Sequence, residues 1–109
     1  MTFDPTIIAE QFRLHGEDWA DLNAAADLLE KNKDTIKANL VVHFLKTEKA
    51  VSKAEYMAEA SPEYSEHLSL MIEARRKANR AKVQYDSDRV FIDMLRSVES
   101  TRRAELTVR

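Results

Sequence analysis

The stretch from Pro62 to Leu106 reads PEYSEHLSLMIEARRKANRAKVQYDSDRVFIDMLRSVESTRRAEL, and neither glycine nor proline occurs anywhere after Pro62. Nothing in it breaks a helix, so one helix is expected from Pro62 to about Leu106, roughly 65 Å long at the standard rise. Ser61 followed by Pro62 is a cap-then-proline start signal, and the residue before a proline disfavours helix, which places a turn there. At about 100° per residue, Met71, Ala74, Ala78, Ala81, Tyr85, Ile92 and Leu95 lie along one side. Ile72, Val83, Val90, Phe91, Met94 and Val98 fall on another. A helix this long, with two apolar sides, exceeds what any one earlier segment covers. Self-association is therefore expected, through Met71, Ala74, Ala78, Ala81, Val90, Phe91, Met94, Leu95 and Val98, with the alanines permitting close backbone approach.

Working outward, the whole chain has 109 residues, one glycine, two prolines and no cysteine. Such a chain cannot punctuate the many short strands of a sandwich or barrel. The expected fold is all-α: a helical hairpin or coiled coil with one long C-terminal helix, oligomeric, in a single domain. Residues 1–61 form its acidic N-terminal helices and 62–109 its long basic, amphipathic helix. With 44% hydrophobic and 33% charged residues the chain has enough apolar material for a core, though eight aromatics leave that core dependent on aliphatic residues and alanine. The absence of cysteine removes disulfides and thiolate metal sites. No segment has the apolar length of a membrane span, and the N-terminus is acidic, so the expected location is the cytoplasm.

In the N-terminal half, Asp4 and Pro5 make a strong helix start, with Phe3 and Ile8 at the positions of a hydrophobic staple. Gly16 is the one residue that takes a left-handed cap without steric cost, so a short first helix is expected to end near His15. From about Asp18 to Thr47, Trp19, Leu22, Ala26, Leu29, Lys33, Ile36, Leu40 and His43 recur at spacings of three and four, a heptad-like seam. Trp19, on that seam, is expected in the core. Ser52 and Glu55 match the capping box, with Val51 and Tyr56 at the staple positions, so a further short helix is expected after Ser52.

Catalytic constellations are scarce. His15, His43 and His67 are far apart, and no phosphate loop, dinucleotide fingerprint or nucleophile elbow is present. Glu63, Glu66 and His67 share two turns, which admits a metal pair. The competing explanation is that acidic residues favour a helix N-terminus. The chain is expected to be non-catalytic, without metal or cofactor.

Charge is distributed unevenly. Through Asp34 there are eight acidic and three basic residues, whereas from Glu63 onward ten basic face eight acidic, and Arg75 to Lys82 holds five basic residues and no acidic one. The net charge of −2 conceals a dipolar chain. Two readings compete for the basic run: cations directed at phosphates, or a solvated face paired with Glu73, Asp86, Asp88 or the acidic N-terminal helices.

The run Arg80-Ala81-Lys82-Val83-Gln84-Tyr85-Asp86 resembles the K-A-R-L-x-Y motif of the phage recombination mediators of the UvsY type. It shares the order basic, Ala, basic, aliphatic, any, Tyr, with the two basic types exchanged and Val83 in place of Leu. The resemblance covers about Pro62 to Arg103. It implies binding of single-stranded DNA by an oligomer that helps load a RecA-like recombinase onto strands coated by single-strand-binding protein, and it implicates Arg80, Lys82 and Tyr85. With the neighbouring cations, the candidate nucleic-acid set is Arg75, Arg76, Lys77, Arg80, Lys82 and Tyr85. The alternative is a coiled-coil protein interaction module, an adaptor, assembly factor or inhibitor of a host complex, without nucleic acid.

Overall fold

The computed structural model describes residues 4–108 and contains three helices: α1 (Pro5–Phe44), α2 (Val51–Glu59) and α3 (Pro62–Val108). Asp4 caps α1, its Oδ1 accepting from Thr6 N at 2.9 Å, with Pro5 in the first turn. The staple expected from Phe3 and Ile8 involves a residue outside the described ones.

Helix α1 does not stop at Gly16. It runs unbroken for 40 residues, and Gly16 has no positive φ. The expected break is corrected by packing. A Cβ at position 16 would lie 3.0 Å from Cε2 of Tyr85, so the missing side chain admits a ring from α3. A glycine inside a helix costs only about 1 kcal/mol relative to alanine, too little to end a helix packed along its length.

Helix α2 also departs from its expected start. It begins at Val51, with Ala50 as N-cap and no side-chain capping bond, so the Ser52–Glu55 box does not form. Glu48 serves the end instead: its carboxylate accepts from Ala50 N at 3.4 Å and pairs with Lys53 at 3.2 Å. Both contacts hold the Glu48 carboxyl below the usual range, the Lys53 hydrogen bond most of all. Val51 and Tyr56 are both exposed and make no staple.

The turn at Ser61–Pro62 matches its sequence signal. Ser61 Oγ donates to Ala58 O at 2.7 Å and accepts from Tyr64 N at 3.3 Å, joining the end of α2 to the start of α3. Pro62 follows with no N–H to satisfy.

α1 and α3 pack antiparallel, so that His15 meets Asp88, Asp27 meets Arg75, and Leu29 meets His67. α2 lies against α1 at the closed end, where Lys37 donates to Glu59 at 2.7 Å. The result is a rod of 86 × 21 × 17 Å. Its core is made of small residues: Ala26, Ala54, Ala58, Ala78 and Ala81 are buried with Tyr64, Ser61 and His67, and among the described residues no large side chain is fully enclosed. Alanines on facing helices let the backbones approach closely, while Trp19, Leu22, Leu29, Ile36 and Leu40 stay half-buried along the seam. Among the described residues, no helix is long and apolar enough to cross a membrane.

Candidate nucleic-acid interface

The six residues proposed for nucleic acid all lie on α3, and helical geometry separates them. Arg75 faces α1. Its Nε and Nη2 each donate to Glu30 at 2.8 Å in a bidentate pair, Nη2 also reaches Asp27 at 2.6 Å, and Nη1 donates to Asn23 at 2.7 Å. The planar fork of arginine suits this arrangement. Its hydrogen bonds lower the Glu30 carboxyl below the usual range, and Glu30 and Asp27 raise the guanidinium further. Arg75 thus ties the two helices together.

Tyr85 is also engaged within the chain. Its ring stacks on Phe12 at 4.7 Å between centroids, sits 5.4 Å from Trp19, and covers Gly16. A base seeking a stacking face would have to displace this cluster.

The remaining four cations differ. Arg76, Lys77, Arg80 and Lys82 are exposed. Arg76 has Glu73 at 3.9 Å, a loose contact on its own helix, whereas Lys77, Arg80 and Lys82 have no carboxylate within ion-pair distance among the described residues. Arg76 and Arg80 are one turn apart on the side of α3 turned away from α1, and Lys77 lies next to them. Lys82 projects from the flank nearer α1. Arg76, Arg80, Ile72 and Val83 line a shallow apolar groove whose far wall includes Glu30 of α1.

The residues expected at an oligomer interface divide in the same way. Ala78 and Ala81 are buried, and Met71 and Ala74 half-buried, on the side of α3 that packs against α1 of the same chain. The close approach expected of these alanines is therefore made within one chain. Leu95 is half-buried, while Val90, Phe91, Met94 and Val98 remain exposed.

His67 does not join a metal pair. It is buried, and its Nε2 donates to the carbonyl of Leu29 at 2.8 Å, while Glu63 and Glu66 are exposed. Among the described residues no group of histidine and carboxylate side chains is placed to hold a metal ion. His15, to which the sequence assigned no functional role, pairs through Nδ1 with Asp88 near the open end of the hairpin, and Gln84 donates to the same carboxylate at 3.0 Å. No local pattern marks that pair, whose members stand 73 residues apart.

No protein family, curated protein or solved structure matches this chain.

Proposed function

We propose that this protein is a non-catalytic, oligomeric accessory of DNA recombination that binds single-stranded DNA and helps load a RecA-like recombinase onto strands coated by single-strand-binding protein, in the cytoplasm of a phage host. The observation that carries the reading is the state of Lys77, Arg80 and Lys82. The acidic helix α1 neutralises Arg75 and leaves these three cations without an ion-pair partner among the described residues, although the chain holds more acid than base. Exposed cations on a rigid helix neutralise phosphates and release counterions, a sequence-independent mode of binding. The motif resemblance of residues 80–86 adds the recombination context. Tyr85 leaves the binding set in this reading, and Arg76, Lys77, Arg80 and Lys82 remain.

A salt titration of single-stranded DNA binding tests the proposal. Replacing Arg80 and Lys82 with alanine weakens binding and flattens the dependence of log K on log salt by about 0.7 per lost phosphate contact. An unchanged titration in a correctly folded double variant defeats the reading. The second reading, an interaction module that binds no nucleic acid, is favoured by the exposed apolar stripe on α3. It predicts no strand binding even at low salt.

A further inference from the structure

Ile72, Val83, Val90 and Met94 project from α3 within about 40° of arc on the outer side of the helix, opposite the Ala78 and Ala81 side, with Ile72 and Val83 lining the groove that Glu30 of α1 borders. They are 58% to 67% exposed. Single exposed aliphatics are ordinary, but an aligned row of them along a helix marks a contact surface. The area agrees. A compact monomer of 12.6 kDa exposes about 6,200 Å², whereas this chain exposes 8565 Å². The 86 Å rod spreads its surface along α1 and α3, which leaves length enough for the ~800 Å² that each partner contributes to a stable interface.

We infer that a second copy of this chain covers the stripe, α3 packing antiparallel against α3 about a two-fold axis between Asp86 and Ser87. Val83 and Val90, at the middle of the stripe, are placed symmetrically about that point, while Ile72 and Met94 lie outside the valine pair on either side. Antiparallel pairing sets Val83 opposite Val90, Asn79 opposite Met94, Arg76 opposite Ser97 and Ile72 opposite Thr101, each pair equidistant from the axis along the chain. In a two-fold interface one patch serves both sides, so the Val83–Val90 contact is made twice, and Ile72 and Met94 pack beside the polar Thr101 and Asn79. The long Arg76 meets a small serine, which leaves room for its head to reach solvent.

Charge selects the direction. In a parallel, in-register pair the run from Arg75 to Lys82, of which Arg76, Lys77 and Arg80 are not turned toward α1, would set those three cations against their own copies. The antiparallel pair sets it beside residues 91–98, which carry Asp93 and Arg96 and no net charge. Like charges in register disfavour the first arrangement. The inference rests on the apolar stripe and the charge sequence, and does not depend on strand binding.

The chain has no cysteine, so single engineered cysteines report the pairing directly. Light scattering of the full chain is expected to give at least twice 12.6 kDa. Under mild oxidation Ser87→Cys, beside the axis, forms a disulfide-linked dimer, whereas Thr101→Cys does not link to itself but links to Ile72→Cys when the two are mixed. Val90→Glu lowers the mass to one chain with its helical circular dichroism retained. A wild-type mass of one chain overturns the inference, as does Thr101→Cys self-linking as readily as Ser87→Cys. A larger assembly in which Ser87→Cys does not link overturns it equally.

Discussion

Gly16 and Tyr85 touch across the hairpin: the position a Cβ would occupy on residue 16 lies 3.0 Å from Cε2 and 3.4 Å from Cδ2 of the Tyr85 ring. The ring has little room to yield, since Phe12 stacks on it at 4.7 Å and Trp19 stands at 5.4 Å. Local and tertiary preferences oppose each other at this residue.

Gly16→Ala sets the two preferences against each other. Alanine improves the helix by about 1 kcal/mol, while crowding a packed site costs about 1–3 kcal/mol. The expected net effect is a loss of about 1 kcal/mol, read by urea denaturation. A raised midpoint would show that the ring moves aside freely.

Tyr85→Leu removes the ring from Phe12 and Trp19. Aromatic pairs contribute about 0.5–1.5 kcal/mol each beyond their buried area, so stability is expected to fall by about 1–3 kcal/mol. If single-stranded DNA binds through Arg76, Lys77, Arg80 and Lys82, the salt slope of binding stays unchanged in this variant at a temperature where it is folded. A flattened slope would return Tyr85 to the binding set.

The Arg75–Glu30 pair predicts a pH dependence with a definite sign. Because Arg75 depresses the folded Glu30 value below its ordinary 4.5, the stabilisation is whole above that value and is lost as pH falls through the lower folded value. The stability difference between the wild type and Arg75→Ala is therefore expected at pH 7, to shrink in acid, and to shrink in high salt, because the pair is partly exposed. A difference independent of both would mean that the arginine acts through its alkyl stem alone. Lysine at this position keeps the charge but loses the fork, so Arg75→Lys should fall between the two.

His67→Leu removes the donor to the Leu29 carbonyl. An intramolecular hydrogen bond contributes about 0.5–1.5 kcal/mol net, and a loss of that size is expected on thermal melting. Stoichiometric zinc in the purified wild type, absent from this variant, would restore the metal pairing of Glu63 and His67.

Much of the fold was readable from local chemistry. Asp4–Pro5 and Ser61–Pro62 start helices because caps and prolines act on their immediate neighbours. The seam from Trp19 to His43 and the alanine side of α3 followed from periodicity, since a helix face is defined by spacing alone, although His43, at the end of α1, is exposed. The signals that failed were also local. Ser52 and Glu55 satisfy a pattern, yet Glu48 and Ala50 start α2 two residues earlier.

The sequence by itself determined the all-α class, the turn at residues 61–62, the uninterrupted α3 and the opposition of acidic and basic segments, because each follows from neighbouring residues or from counting. Only the tertiary structure decided that α1 passes through Gly16, that Arg75 and Tyr85 serve the hairpin, and that the outward stripe of α3 stays uncovered within one chain. The reason is separation: Arg75 lies 45 residues from Glu30 and 48 from Asp27. A basic run in sequence looks uniform, and packing against α1 divides it into one tethered cation and four exposed ones.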